Sequence, residues 1–338
     1  MLYSPERLLG LVGASPQQAV LCDLTIAICT YNGAQRLPAV LDGLLQQTGT
    51  ADVSWEVLVV DNHSTDETAA VVRRYQRQWP STMPLRYCFE PNQGAAYARH
   101  RAIQSAHSEL IGFLDDDNLP AHNWVAAAYR FAQRHPQVGA YGSQIQGKFD
   151  GPLPSDFNRI QSFFALTQRG ETPHPYRSWK KVLPPSAGLV VRRQAWLHHV
   201  PEQLMLTGRH DNHMLTGEDL EAISYIQQSR WEVWHNPAMK LQHHIPQWRL
   251  QREYLLPFFR GIGLSRHVTR MLGVPVWQRP VMVGLYWVND LRKLMWHLLQ
   301  YRGRLRSNLV AACELQLFVS SLVSPFYILG TLWVDRRH

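Results

Sequence analysis

The sequence predicts an α/β fold, a doubly wound sheet followed by a helical extension, and three observations carry that prediction. Short apolar, β-branched runs alternate with amphipathic stretches through the first 120 residues. The runs end in polar residues, as strands do where their carboxyl ends line a ligand crevice. From Leu256 onward the text changes to long, Trp- and Arg-bearing stretches with eleven Lys and Arg against three acids. The 338-residue chain carries a formal net charge of +8, and the 23 basic and 23 acidic residues before Leu256 cancel. All the excess charge therefore lies in the last quarter. This divides the chain into an N-terminal extension (1–20), an α/β domain (21–255) and a basic, Trp-rich helical tail (256–338).

LTIAICTYN (24–32) is a buried-strand run that closes on a polar turn. In the following RLPAVLDGLLQQ, Leu37, Val40, Leu41, Leu44 and Leu45 recur at helical spacing, with Pro38 near the start, where its missing N–H is harmless. WEVLVVDNHS is a second buried strand. In STDETAAVVRRYQRQ, Ser64 and Glu67 stand three apart, the spacing of a capping box at a helix start. LRYCFEPN, the helical AAYARHRAIQSA and ELIGFLDDDN continue the alternation. The middle of the chain is less regular: VGAYGSQIQG, a strand-like SAGLVVRR, the turn-rich LTGRHDNHMLTGEDLE, a helical AISYIQQS and the strand WEVWHNP.

Composition and motif tests remove several classes of function. Cys22, Cys29, Cys88 and Cys313 form no CxxC pair and lie far apart, so neither a zinc cage nor a disulfide framework is indicated, and a reducing setting suits them. The first twenty residues lack the basic start and continuous apolar core of a secretory signal. GSQIQGKF nearly spells a phosphate-binding loop, but Phe149 stands where the metal-binding Ser or Thr belongs and prolines follow. RGIGLSR lacks the third glycine of a dinucleotide fingerprint and follows no clear strand. No nucleic-acid motif accompanies the basic tail.

GFLDDDN poses the central chemical problem, because Asp115, Asp116 and Asp117 concentrate three carboxylates at the end of an apolar run. A solvated loop is one solution. A calcium hand is not, since Pro120 and Ala126 replace its required glycine and glutamate. The strand-end position favours a hard divalent cation, Mn2+ or Mg2+, held by one or two carboxylates and completed by substrate phosphates. Glu218 and Asp219 read either as the acidic first turn of a helix or as a catalytic pair. His243 and His244 follow an apolar stretch, and either imidazole is a competent metal ligand. His210, Asp211 and His213 read as an acceptor-side loop, and Trp179 as a packing residue or a stacking platform for a sugar.

Taken in order, ICTYN, VLVVDNHSTDET, NQGAAYARH, GFLDDDN and TGEDLE resemble the GT-A glycosyltransferases of glycosyltransferase family 2, metal-dependent inverting enzymes with nucleotide-sugar donors. The likeness covers about residues 22–250, and within the family it is closest to bacterial, particularly cyanobacterial, exopolysaccharide enzymes of the hormogonium polysaccharide type. The resemblance implies that Thr30 and Asp61 line the nucleobase pocket, with Tyr31 and Asn32 shaping it. It places Asn92, Gly94 and Arg99 near the base or diphosphate. It makes Asp117 the first metal contact, with Asp115 or Asp116 toward the ribose and Asp115 the other member of a DxD pair. It makes Asp219 the catalytic base with Glu218 in support, and adds a histidine, His243 or His244, to the metal shell. PQWRL departs from the signature of processive synthases, because Gln247, Trp248 and Arg249 are out of pattern, which favours transfer of single sugars.

The chemistry accounts for these residue types. A sugar–diphosphate bond breaks to an anionic leaving group, which a cation stabilises, and the acceptor hydroxyl loses a proton to a carboxylate. The expected partners are a nucleotide-diphosphate sugar, UDP-linked first of all, and a glycan or lipid-linked acceptor. The tail, with Trp277, Trp287, Trp296 and Trp333 among its arginines, suits an anionic membrane surface on the cytoplasmic side of the inner or plasma membrane, in a peripheral or monotopic manner. Helices that merely pack on the catalytic domain are the other reading. The last apolar run (315–334) reads as an embedded or re-entrant helix because Gln316, several serines and Pro325 interrupt it. A nucleotidyltransferase on a similar fold and a catalytically silent nucleotide-binding scaffold are the alternatives in function.

Overall fold

The computed structural model describes residues 22–180, 182–209, 215–305 and 307–335. The expectations for the N-terminal extension (1–20) and for His210, Asp211 and His213 lie outside the described residues.

The first half resolves as the alternation predicts: Leu24–Thr30 (β1), Leu37–Leu45 (α1), Trp55–Asp61 (β2), Thr68–Gln76 (α2), Leu85–Phe89 (β3), Ala95–Ser105 (α3) and Leu110–Asp115 (β4). The strands pair in parallel in the order β3-β2-β1-β4, with Thr30 beside Asp61 and Cys29 beside Asp115. That register brings the polar strand ends to one edge. β2 is buried throughout, as a strand covered on both faces must be. Leu24, Ile26, Val57 and Val59 pack with Leu41 and Leu44 of α1 and Val72 of α2 on one side. Ala27, Leu58 and Val60 pack with Ala98 and Ile103 of α3 on the other.

Beyond β4 the sheet is mixed. Asn118–Pro120 (β5), Trp124–Arg134 (α4), Val138–Phe149 (β6), His174–Pro175 (β7), Val190–Arg192 (β8), Arg193–His199 (α5), Glu218–Gln227 (α6) and Glu232–Ile245 (β9) follow. Three-residue β8 lies antiparallel between β4 and β6, and β9 runs parallel to β6. β5 pairs antiparallel with the far end of β9, setting Asn118 opposite His243. A strand more than a hundred residues downstream is thereby returned to the carboxylates. GSQIQGKF lies wholly within β6, so it forms no phosphate loop.

One local expectation is corrected. Ser64 and Glu67 form no capping box: α2 begins at Thr68, and no side chain caps it at Glu67. Ser64 is drawn instead to the strand ends, accepting from the Asn32 N–H at 2.9 Å while its own N–H donates to Asp61.

The tail forms Arg252–Met271 (α7), Arg279–Tyr301 (α8) and Leu309–Asp335 (α9). Phe258 and Phe259 of α7 and Val310, Cys313 and Leu317 of α9 share a core with Phe157, Ile160 and Phe164. Ser324 of α9 accepts from the His267 N–H and donates to the Leu264 carbonyl of α7. A Cβ on Gly263 would come within 2.6 Å of the Ser320 Cβ, so RGIGLSR is a close helix–helix contact. The serines of the last apolar run serve that contact, and α9 is continuous through Pro325. Residues Leu309–Gly330 are long and apolar enough to cross a membrane, by length and composition, with 44% of the stretch buried in the protein. α8 differs: its buried residues are Asp290 and His297, while Trp277 before it and Val281, Leu285, Val288 and Trp296 on it are exposed.

Candidate active site

The strand ends are cross-braced before any ligand is considered. Asn32, in the left-handed region at φ 48°, accepts from the Thr65 N–H at 2.8 Å and so ties the turn after β1 to the loop after β2. Asp61 is buried, accepting from the Ser64 N–H at 2.9 Å and the Tyr87 hydroxyl at 2.7 Å. Asn62 grips the next loop with both ends of its amide: it donates to the Asn92 carbonyl at 2.6 Å and accepts from the Gly94 N–H at 2.7 Å. Gly94, at φ 140°, is required because a Cβ would meet the Thr207 carbonyl at 2.7 Å. Asn92 itself is exposed, and Tyr31 is half-buried with its carbonyl accepting from Arg36.

Three arginines answer the charge of the aspartate triplet. Asp116, 7% exposed, takes a two-pronged hydrogen bond from Arg36 at 2.8 and 2.9 Å and a third from the Thr30 hydroxyl at 2.6 Å. Asp117 accepts from Arg249 at 2.8 Å and from the Asn118 amide at 3.0 Å, with His243 Nε2 3.3 Å away. Among the described residues the ion-pair partner of Asp115 is Arg99, at 3.9 Å, and 39% of its side chain meets solvent. Burial raises the Asp116 carboxyl, against the pull of Arg36. Burial would raise Asp117 too, but His243 and Arg249 hold it well below the ordinary carboxylate range. Asp115, at the mouth, is raised to about 6 by lost hydration, opposed by Arg99 and reinforced by Asp117.

The same Arg99 joins the triplet to the GED sequence. Its guanidinium, 7% exposed, donates to Glu218 at 2.8 Å and to the Ser186 hydroxyl at 2.6 Å. The Ser186 N–H in turn donates to Asp219 at 3.0 Å. A continuous polar chain therefore runs from Asp115 through Arg99 and Ser186 to Asp219. α6 starts at Glu218 after Gly217, whose φ of 106° makes the sharp entry. Burial favours the neutral form of Glu218, yet Arg99 holds its carboxyl below the usual range. Asp219 is raised, by burial first and by the neighbouring Glu218 charge second. Its two oxygens also accept from backbone N–H groups, which position the carboxylate and partly offset that rise.

The two histidines separate. His243 is 5% exposed and its Nδ1 lies 2.8 Å from the Phe164 carbonyl, which can only accept. Nδ1 therefore carries the proton, and in the neutral ring Nε2 presents a lone pair toward Asp117. His244, one residue on, points to the other face of β9 and meets Asp150 at 2.7 Å. The structure brings His243, not His244, to the carboxylates. Among the described residues no three His, Cys, Asp or Glu side chains converge as a metal cage. Asp117 Oδ2 and His243 Nε2 are nonetheless a chemically suitable pair of donors for Mn2+ or Mg2+, ions that keep waters and take phosphate oxygens for the rest of their shell.

Arg36, Asn62, Ser186 and Arg249 complete the site beyond the residues assigned from sequence. The only signal for the arginines was the charge debt of GFLDDDN, which states that cations are needed but not which ones. Trp179 is 75% exposed.

Residues 25–184 match the family model described as Glycosyl transferase family 2. Validoxylamine A glucosyltransferase of Streptomyces hygroscopicus subsp. jinggangensis (strain 5008) is 36% identical over 104 residues, 30% of this chain and 24% of that protein. Succinoglycan biosynthesis protein ExoU of Rhizobium meliloti (strain 1021) is 36% identical over 97 residues, 29% of this chain and 27% of that protein. The similar stretch thus spans about a quarter of either relative. Among solved structures, mannosyltransferase PcManGT from Pyrobaculum calidifontis, in complex with GDP-Man and Mn2+, gives a TM-score of 0.55 at 19% identity, covering 91% of this chain and 85% of that one. That likeness is one of fold. The strand ends, the aspartate triplet and Arg99 accordingly all lie within residues 25–184, the stretch that matches the Glycosyl transferase family 2 model, in a chain whose fold resembles that of solved GT-A glycosyltransferases.

Proposed function

We propose that this protein is an inverting, divalent-metal-dependent glycosyltransferase that moves one sugar from a nucleotide-diphosphate donor to a hydroxyl of a glycan or lipid-linked acceptor. The observation that carries the reading is the polar chain linking Asp115, Arg99, Ser186 and Asp219, which sets a basic carboxylate beside a charge-balanced strand-end crevice. Thr30, Asn32, Asp61 and the Asn92–Gly94 loop form the nucleotide end. Asp117 and His243 would hold the divalent ion, which when bound would offset the charge of the departing diphosphate. Asp219 takes the acceptor proton, a role its raised pKa favours and one typically worth about 10²–10⁴-fold. Glu218, locked to Arg99, keeps that arginine and Ser186 in place. A single carboxylate base serves direct displacement with inversion, because a phosphate leaving group needs no proton donor of the kind a glycosidase supplies.

Succinoglycan biosynthesis by one relative and the GDP-Man and Mn2+ complex of a structural neighbour support a bacterial surface-polysaccharide role and metal use. The hormogonium-type sequence resemblance points the same way. The exposed apolar residues of α8, flanked by Arg279, Arg292 and Lys293, suit the headgroup layer of an anionic membrane on the cytoplasmic side. The test is calorimetric titration of UDP, GDP and dTDP into the full chain, each with manganese and with chelator. Manganese-dependent binding of one nucleotide is expected. Absence of binding by all three in folded protein would overturn the donor site.

A further inference from the structure

The cation that Asp117 and His243 hold in this structure is Arg249. Its Nη1 stands 2.8 Å from Asp117 Oδ2 and 3.3 Å from His243 Nε2, while those two acceptors are themselves 3.3 Å apart. Both atoms face one positive charge at that separation. Arg249 supplies it from the short turn Gln247–Leu250 that leads from β9 into α7, 132 residues from its partner in sequence.

We propose that Arg249 is a built-in cation that competes with the divalent ion for Asp117 and His243, keeping the donor pair neutralised until metal arrives. The proposal rests on the metal-dependent reading above. A divalent ion bound to Asp117 at about 2.1 Å would stand within about 5 Å of Nη1, and two cations that close repel strongly in a buried site. The arginine must withdraw for the ion to enter. Arg249 is 8% exposed, and its Nε is buried without a hydrogen-bond partner. Leaving such a donor unsatisfied is costly, and a guanidinium with an unused donor is suited to swing onto an anion. The entering donor's phosphates provide that anion at the same moment that the metal claims Asp117. The Tyr254 ring centroid lies 5.6 Å from the guanidinium, and its hydroxyl is a second partner of the arginine. Metal and nucleotide binding are thereby made cooperative by one side chain.

The test is direct manganese binding to the full chain without nucleotide, followed by the loss of the free-ion electron paramagnetic resonance signal. Arg249→Met should bind manganese at least about tenfold more tightly than the parent, a difference of about 1.4 kcal/mol. Arg249→Lys, which retains the charge, should stay near the parent value. An Arg249→Met affinity equal to or weaker than the parent overturns the proposal. Failure of every protein to bind manganese, alone or with UDP or GDP, overturns the metal reading and the proposal with it. Should Arg249→Met not fold, modification of Arg249 by phenylglyoxal in the parent protein, mapped by mass spectrometry, decides. Saturating manganese should speed it, and an unchanged rate sinks the idea.

Discussion

Arg99→Met removes the guanidinium on which both halves of the site converge. Glu218, whose side chain is 11% exposed, would lose its partner at 2.8 Å and keep a buried charge answered by a backbone N–H and the weaker pull of Arg209. Deleting one member of a buried ion pair costs about 3–5 kcal/mol. Asp115 adds little to that figure, because it lies 3.9 Å from Arg99 and is 39% exposed. At about 2 °C per kcal/mol, suited to a large domain, the midpoint of thermal unfolding should fall by about 6–10 °C. The pH dependence identifies the cause. In the parent, the Glu218 carboxyl is depressed, so its contribution is present above its unfolded pKa and lost as pH falls through the folded value. In the variant that depression vanishes and burial lifts the carboxyl instead. Glu218 then takes up a proton in the folded state, so the deficit relative to the parent should narrow between about pH 8 and about pH 5. Adding Glu218→Gln to Arg99→Met should recover about 1.5–3 kcal/mol. Urea denaturation monitored by circular dichroism across that range is the assay. A deficit that does not change with pH, or a double variant no more stable than Arg99→Met, would refute the reasoning.

Asp219→Asn should leave nucleotide affinity unchanged by calorimetry while lowering kcat by about 10²–10⁴-fold. Because burial and Glu218 raise Asp219, the acid limb of the parent's kcat/KM profile should lie above the ordinary aspartate range, and Glu218→Gln should move it to lower pH. On α8, Trp296→Glu and Val281→Glu should each weaken sedimentation with phosphatidylglycerol vesicles by about 10–100-fold, the equivalent of about 1.5–3 kcal/mol per buried side chain. Transfer to a soluble acceptor should be unaffected, and unchanged vesicle binding would leave α8 without a lipid role. Gly263→Val should cost about 1–3 kcal/mol in urea denaturation, because its first side-chain atom meets Ser320 and the Leu317 carbonyl.

What could be read from the sequence was what one strand writes in one place. β1, β2 and β4 each end in their own polar residues, so Thr30, Asp61 and Asp115 to Asp117 were visible as site candidates from local text alone. Arg99 and Asp219 needed a family pattern, since a lone arginine inside AAYARHRAIQSA and an acid at a helix start have ordinary structural uses. Arg36 and Arg249 were legible by neither route. Their partners are Asp116, 80 residues away, and Asp117, 132 residues away, and pairing across such spans depends on a sheet order that periodicity does not reveal. The histidine choice failed for a related reason. Strand alternation guarantees that His243 and His244 face opposite ways, but which one faces Asp117 is set by the pairing of β5 with β9. Ser64 was misread because a capping spacing is a local signal, and the Asn32 and Asp61 contacts that claim it are not local.

The sheet order also limits what can be cut from this protein. Among the described residues, β8 alone joins β6 to β4 in the sheet, and β9 alone joins β5 to it. Both strands lie beyond residue 184, where the family match ends. A nascent chain that has emerged only that far holds a finished four-stranded half and a twelve-residue strand, β6, that lacks both strand partners and keeps the single bridge of Ile145 to Thr167. Unpaired strand edges invite pairing between chains. Expression of 25–184 alone should therefore yield aggregates where a chain extended through β9 stays soluble. The half of the crevice holding His243 and Arg249 is closed last during synthesis, by the segment that also launches the helical tail.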